Sequence, residues 1–245
     1  MEAGVIRWVY AFVDRPRERF GEAAEFWTAV TGTALSARRG AVDEFATLVP
    51  DGATDACVKL QGVADGGGGA HLDLAVEDVR ALAGRAVELG AAVVADHGEY
   101  VVLASPAGVP FCAVPWHGES RRPEVFEGTR MDQVAIDVAA DAYEAEAEFW
   151  GGLTGWPVLS GSRPEFRVVK APAELPIRIL LHRLDVPRPA GAHLDLACAD
   201  RSAVRAAHEE LGAVTVAEHP HWTVMRDPSG GLYCLTARNP DTGTL

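Results

Sequence analysis

The feature that most constrains this chain is that its sequence is written twice. The run Ala70-His71-Leu72-Asp73-Leu74-Ala75 returns letter for letter as Ala192 to Ala197, 122 residues further on. Gly90-Ala91 returns as Gly212-Ala213, Pro106 as Pro228 and Cys112 as Cys234, all at that same spacing of 122. Phe26-Trp27 returns as Phe149-Trp150 and Thr31-Gly32 as Thr154-Gly155, at 123. Landmarks kept in one order, with at most one gap, make two copies of one unit, and a duplication of this kind decides the fold before any local argument does. The polar stretch with Gly118, Ser120, Arg121, Arg122 and Pro123 reads as the join. We therefore expect residues 1–117 as a first domain, 118–128 as a linker and 129–245 as a second domain.

Within each copy the hydrophobic period switches between that of a strand and that of a helix. Val5 to Val13 is apolar and rich in β-formers. Pro16 then opens a helical pattern of Phe20, Ala23, Ala24, Trp27 and Val30, with Gly32 placed to stop it. Glu44 to Val49, Cys57 to Val63 and His71 to Val76 read as strands. Asp78 reads as the N-cap of a helix carrying Val79, Leu82, Ala86 and Leu89, ended by Gly90. Tyr100 to Ala104 and Phe111 to Val114 follow, joined by the turn Ser105-Pro106-Ala107-Gly108. The second copy repeats this with helices at Tyr143 to Leu153 and Val204 to Leu211. Each half is strand–helix–three strands, twice over. That predicts an α+β fold of four βαβββ modules in tandem pairs, with curled, mostly antiparallel sheets and the helices outside.

Strand side chains alternate between faces. Leu72 and Leu74 are expected against the helices, which sends His71 and Asp73 to the opposite face, and His193 and Asp195 likewise. The same rule sends Trp8, Tyr10, Phe12, Gln61 and Cys112 to that face in the first half, and Gln133, Asp137, His182 and Cys234 in the second. If each sheet curls, one cup is largely aromatic and the other polar.

Composition narrows the function classes. The net charge is −13, from 22 basic and 35 acidic residues. Such a body repels nucleic acid and anionic membrane surfaces, so neither is expected as a partner. No apolar run reaches the roughly 18 residues of a membrane span. The Met1-Glu2-Ala3-Gly4 start lacks the basic and apolar regions of a secretory signal. The four cysteines form no CxxC pair. A reduced, cytoplasmic setting is expected.

The paired strand–helix–three-strand units, the His-Leu-Asp-Leu strand with its Asp-led helix, and the run Asp227-Pro228-Ser229-Gly230-Gly231-Leu232-Tyr233-Cys234 resemble the vicinal oxygen chelate superfamily, the group of glyoxalases, bleomycin-resistance proteins and extradiol dioxygenases. Both halves resemble glyoxalase-like domains. The resemblance implies a cup that takes ligands from four strands, most often His, Gln or Glu. In the second half those positions are Gln133, His182, His193 and Cys234; in the first, Trp8, Gln61, His71 and Cys112. Gln133, His182 and His193 are thus the expected ligands of a divalent metal, Zn, Fe, Ni or Mn, in the second domain, with no metal at all as the alternative. The family's last-strand Glu is a Cys here, which suits zinc better than the harder metals.

The expected function is binding, and on one reading transformation, of a small oxygenated organic molecule in the second cup, by lyase, isomerase or dioxygenase chemistry. His193 and Asp195 would be the catalytic pair. Trp8, Tyr10, Phe12, Gln61, His71, Asp73, Asp137 and Cys234 would line ligand. The alternative is a metal-free binder that sequesters a small molecule or antibiotic without turnover. Bland readings stand beside these: a His–Asp pair needs no metal, a buried Cys is a small hydrophobe, and Glu144, Glu146 and Glu148 read as a solvated helix face. His219-Pro220-His221 reads as a turn, and Gly66 to Gly69 as a flexible connection without the Lys of a phosphate loop. Two fused units complete a pseudo-dimer within one chain, so a monomer is expected, with a homodimer as the alternative.

Overall fold

The computed structural model describes residues 5–64, 66–161 and 163–244. The Met1-Glu2-Ala3-Gly4 start, read above as carrying no secretory signal, lies outside the described residues. The first repeat runs β1 (Trp8–Pro16), a 3-10 turn (Arg17–Arg19), α1 (Phe20–Thr31), β2 (Thr33–Leu35), β3 (Phe45–Pro50), β4 (Val58–Val63), β5 (Gly69–Val76), α2 (Val79–Glu88), β6 (Ala92–Asp96), β7 (Val101–Ala104) and β8 (Pro110–Pro115). The second runs β9 (Thr129–Ala139), α3 (Tyr143–Thr154), β10 (Val158–Ser160), β11 (Phe166–Val169), β12 (Arg178–Leu184), β13 (Gly191–Cys198), α4 (Arg201–Glu210), β14 (Val214–Glu218), β15 (Trp222–Arg226) and β16 (Leu232–Thr236). This is the α+β arrangement of four βαβββ modules expected from the sequence. Each repeat forms one open, eight-stranded sheet, in the orders β2-β3-β4-β1-β5-β8-β7-β6 and β10-β11-β12-β9-β13-β16-β15-β14. The sheets are mixed: β1–β4, β5–β8 and β13–β16 are parallel, and the hairpins are antiparallel.

Local signals account for most element ends. Asp78 accepts from the Ala81 amide and Asp200 from the Ser202 and Ala203 amides, closing the starts of α2 and α4. Such a cap contributes about 1 kcal/mol. Gly32 and Gly155 end α1 and α3 in the left-handed region, at φ 61° and 71°. Pro16 does not open α1 directly. It ends β1, and the 3-10 turn carries the chain into the helix.

The chain separates into two compact units that each draw on both repeats. One comprises Met1–Tyr10, His71–Ser120 and Val134–Ala192, the other Ala11–Ala70, Arg121–Gln133 and His193–Leu245. In the first, α3 packs on β8: the Phe111 ring lies 5.8 Å from Phe149 and 5.1 Å from Trp150. In the second, α1 packs on β16: the Tyr233 ring lies 5.7 Å from Phe26 and 5.3 Å from Trp27. The repeated Phe-Trp therefore seats a helix of one repeat on the last strand of the other. Phe111, Phe149, Trp150, Tyr233, Phe26 and Trp27 are all buried, each large ring contributing a few kcal/mol of burial. The expectation that Glu146 belongs to a solvated face is wrong. It is fully buried, because it sits three residues after Tyr143 and four before Trp150, on the stripe that α3 turns inward. Among the described residues no helix is long and apolar enough to cross a membrane.

Candidate functional site

The polar group of the second repeat follows from alternation and register. On β13, Leu194 and Leu196 are buried and point one way, so His193 and Asp195 point the other. Strand β16 runs parallel to β13 with Cys234 opposite Asp195. Imidazole, carboxylate and thiol therefore meet, with one donor atom from each inside a 4.8 Å circle. His193 Nε2 lies 3.4 Å from Asp195 Oδ1. Gln133, from β9, donates its amide N–H to Asp195 Oδ2 at 2.5 Å. Arg238 Nη1 stands 3.9 Å from that same oxygen. Arg238 is held in turn by Asp132, through Nε to Oδ2 at 3.2 Å and a second contact from Nη2.

The electrostatics of Asp195 are divided between its two oxygens. Burial pushes its carboxyl above the usual carboxylate range, while His193, Arg238 and Gln133 pull the other way. Oδ2 carries the Gln133 bond. Oδ1 is buried and has no hydrogen-bond partner among the described residues. Within ion-pair range it faces the neighbouring imidazole. The His193 side chain is 21% exposed and that of Asp195 4%, so the imidazole is the part of this pair that an arriving molecule meets.

The first repeat carries the same letters in a more buried setting. His71 and Asp73 share a face of β5, and Cys112 on β8 stands opposite Asp73. These three also form a group within 4.8 Å, with His71 Nε2 at 3.7 Å from Asp73 Oδ1. The His71 side chain is only 9% exposed, so this copy is the more enclosed.

The remaining expected residues fall into separate local settings. In the first unit His182 Nδ1 lies 2.8 Å from Asp137 Oδ1, and Arg188 donates to Asp137 Oδ2 at 2.7 Å. The His182 ring packs 4.9 Å from Phe166. In the same unit Trp8 is buried, and the Tyr10 hydroxyl donates to Glu119 Oε1 at 2.5 Å. In the second unit Phe12 meets Phe45 edge-on at 6.3 Å, with Lys59 Nζ 5.4 Å above its ring. Gln61 stands opposite Phe45 in the β3–β4 ladder. His219 stacks on Trp222 at 4.3 Å, as part of the turn. Sequence reasoning missed Arg238, Asp132 and Arg188. The Arg238–Asp132 pair spans 106 residues, and no local pattern announces it.

The donors present suit a divalent ion of the zinc type. An imidazole nitrogen and a carboxylate oxygen bound to one tetrahedral ion lie roughly 3.3 Å apart, close to the 3.4 Å between His193 and Asp195. Oδ1 supplies a buried acceptor without a donor, and Cys234 adds a soft third ligand.

Comparison with known proteins agrees with this architecture. The fold resembles that of a variant of 4-hydroxymandelate synthase from Streptomyces coelicolor, with a TM-score of 0.62 and 17% identity over 97% of this chain and 95% of that one. It resembles a Mn(II)-bound glyoxalase from Novosphingobium aromaticivorans, with a TM-score of 0.65 and 17% identity over 98% and 84%. A variant of homoprotocatechuate 2,3-dioxygenase from B. fuscum gives a TM-score of 0.66 and 13% identity over 98% and 74%. No curated protein sequence matches the chain. The family model of the glyoxalase-like domain matches residues 11–114 and again 133–236, so the chain belongs to the glyoxalase-like domain family and carries that domain twice.

Proposed function

We propose that the second repeat binds a small oxygenated organic molecule at the His193–Asp195–Cys234 group and moves a proton on it. The observation that supports this most is the one-sided Asp195: one oxygen anchored by Gln133, the other buried, unbonded and turned to a partly open imidazole. His193 is the group that touches the molecule. Asp195 fixes the ring and stabilises its protonated form, and Gln133 and Arg238 keep Asp195 from turning away. A zinc-type ion held by His193, Asp195 and Cys234 would supply Lewis acidity to two neighbouring oxygens, and with the imidazole then a ligand that polarisation, rather than protonation of His193, would loosen the proton. His193 is common to this set and to the one expected from the family resemblance. The role of Gln133 as a further ligand belongs to the same proposal, while His182 stays with Asp137 in the first unit. Among structures of similar fold, one is named as a Mn(II)-bound glyoxalase and another as a 2,3-dioxygenase.

Sequestration without turnover is the second reading. The repeat of the His-Asp-Cys group in the enclosed first copy favours it, since a shared architectural role explains both copies. Metal analysis of the purified protein, beside His193→Ala, separates the two. The first reading expects stoichiometric metal that the variant loses. Metal-free protein that stays metal-free after incubation with zinc supports the second.

A further inference from the structure

The two copies diverge beside Asp137. In the first copy Gln61 of β4 stands opposite Asp14 of β1 on one side and Phe45 of β3 on the other. In the second, His182 of β12 stands opposite Phe166 of β11 and reaches Asp137 of β9, which lies 123 residues after Asp14. The aspartate and the phenylalanine are kept, while an amide is exchanged for an imidazole. Arg188, which donates to the second oxygen of Asp137 at 2.7 Å, lies 122 residues after Gly66. What both copies share at this place is architecture; the imidazole and the guanidinium belong to one copy alone.

The three side chains fix a nucleophile. An ionised carboxylate can only accept, so the 2.8 Å contact puts the proton of neutral His182 on Nδ1 and the lone pair on Nε2. Arg188 on one side and the Phe166 ring at 4.9 Å on the other hold the carboxylate and the imidazole in place. Nδ1 is spent on Asp137, so Nε2 is the nitrogen left for an arriving molecule. The His182 side chain is 32% exposed against 11% for Asp137. Alternation puts Leu180 on the face of His182, with Val168 opposite Leu180 in the ladder, and both are half-buried. An apolar shelf thus adjoins the imidazole.

We propose that His182 is the nucleophile of a second site, which hydrolyses activated, uncharged acyl esters. Nε2 adds to the acyl carbon, and the alkoxide leaves with the electron pair of the broken C–O bond. The ring keeps its Nδ1 proton, so the acyl-imidazolium forms against the Asp137 carboxylate. Water then adds to the acyl carbon and the C–N bond breaks back to Nε2. The acid keeps the water's hydroxyl, and the water's other proton neutralises the alkoxide. A short acyl chain lies against Leu180 and Val168. Asp137 and Arg188 are positioning residues, and the site stands without the His193 group.

The probe is 4-nitrophenyl acetate, read by release of 4-nitrophenolate. The wild-type chain should hydrolyse it roughly tenfold faster than His182→Gln, a variant that gives the second copy the residue the first already carries there. His221→Gln, on the exposed turn, should lose only the background share of one free imidazole. Asp137→Asn should fall towards the His182→Gln rate, because an amide can donate to Nδ1 and turn the lone pair inward, and Asp137→Glu should recover part of the loss. Diethyl pyrocarbonate at low molar ratio reads the same nucleophile in the wild-type chain. It should modify His182 ahead of the more exposed His221, as located by peptide mass spectrometry. Equal hydrolysis by wild type and His182→Gln, or modification of His221 first, overturns the proposal. The second measurement needs no variant, so it holds even where a substitution does not fold.

Discussion

Arg15 and Asp227 stand 212 residues apart in sequence and meet inside the second unit at 2.5 Å, both buried. Asp227 Oδ2 also accepts from the Trp27 indole at 3.1 Å, and Oδ1 from Ser229 at 2.5 Å and the Gly231 amide at 3.1 Å. Arg15 Nη1 donates to the carbonyls of Asp14 and Gly69, and its Nε also donates to Ser229 Oγ at 3.1 Å. The first unit solves the same problem differently. There the Trp150 indole donates to Glu146 at 2.8 Å, and Glu146 also accepts from the Ala107 amide at 3.0 Å. The carboxylate comes from a helix rather than a loop, and Val138 stands 123 residues after Arg15 in place of its charge.

Breaking the Arg15–Asp227 pair from one side leaves a buried charge without its counter-charge. Arg15→Met is expected to cost about 3–5 kcal/mol, and the double variant with Asp227→Asn less than the sum of the two singles. Urea unfolding of the four proteins checks this. Gly231→Ala should behave like Arg15→Met, since a Cβ at Gly231 would overlap the Arg15 guanidinium.

His208 should make stability fall with acid. Its Nδ1 lies 2.9 Å from the Tyr233 hydroxyl, its ring packs on Phe26, and burial pushes its pKa down to about 4. The folded chain thus holds the neutral ring more strongly than the unfolded chain does. The stabilisation is present above the ordinary histidine value and is lost as pH falls from about 6.5 through about 4. At most about 3 kcal/mol is at stake. His208→Gln should flatten the urea midpoint over this window; an unchanged slope would remove His208 as its cause.

Glu146 works with the opposite sign. Burial raises its pKa, against the bonds from Ser105, Trp150 and Ala107. Its protonated form is favoured in the fold, so its stabilisation is full below 4.5 and is lost as pH rises through the raised value. Glu146→Ala should remove that slope. It should also cost about 1–3 kcal/mol for each donor left bare, read from thermal unfolding at several pH values.

The duplication made the architecture legible, because Phe-Trp, Thr-Gly and His-Leu-Asp-Leu-Ala mark the same places in both copies. Strand alternation placed His193 with Asp195 and His71 with Asp73 on one face. It could not pair Asp195 with Cys234, which needs the parallel register of β13 and β16. Glu146 was within reach of the sequence: Tyr143, Glu146, Ala147 and Trp150 form one helical stripe, and the flanking Glu144 and Glu148 disguised it. Arg15, Asp132, Arg188 and Arg238 were not, since a buried guanidinium declares itself only through an acid brought close by the tertiary fold. The three-residue strands β2 and β10 are too short for a period to show.

Cobalt substitution interrogates the group on β13 and β16 most directly. Co(II) added to the purified chain should give the visible bands of a tetrahedral ion together with a near-ultraviolet thiolate-to-cobalt band. Cys234→Ser should lose the thiolate band and keep weakened visible bands, and His193→Ala should abolish both. A wild-type spectrum indistinguishable from that of aqueous cobalt, or a thiolate band that persists in Cys234→Ser, would contradict the account.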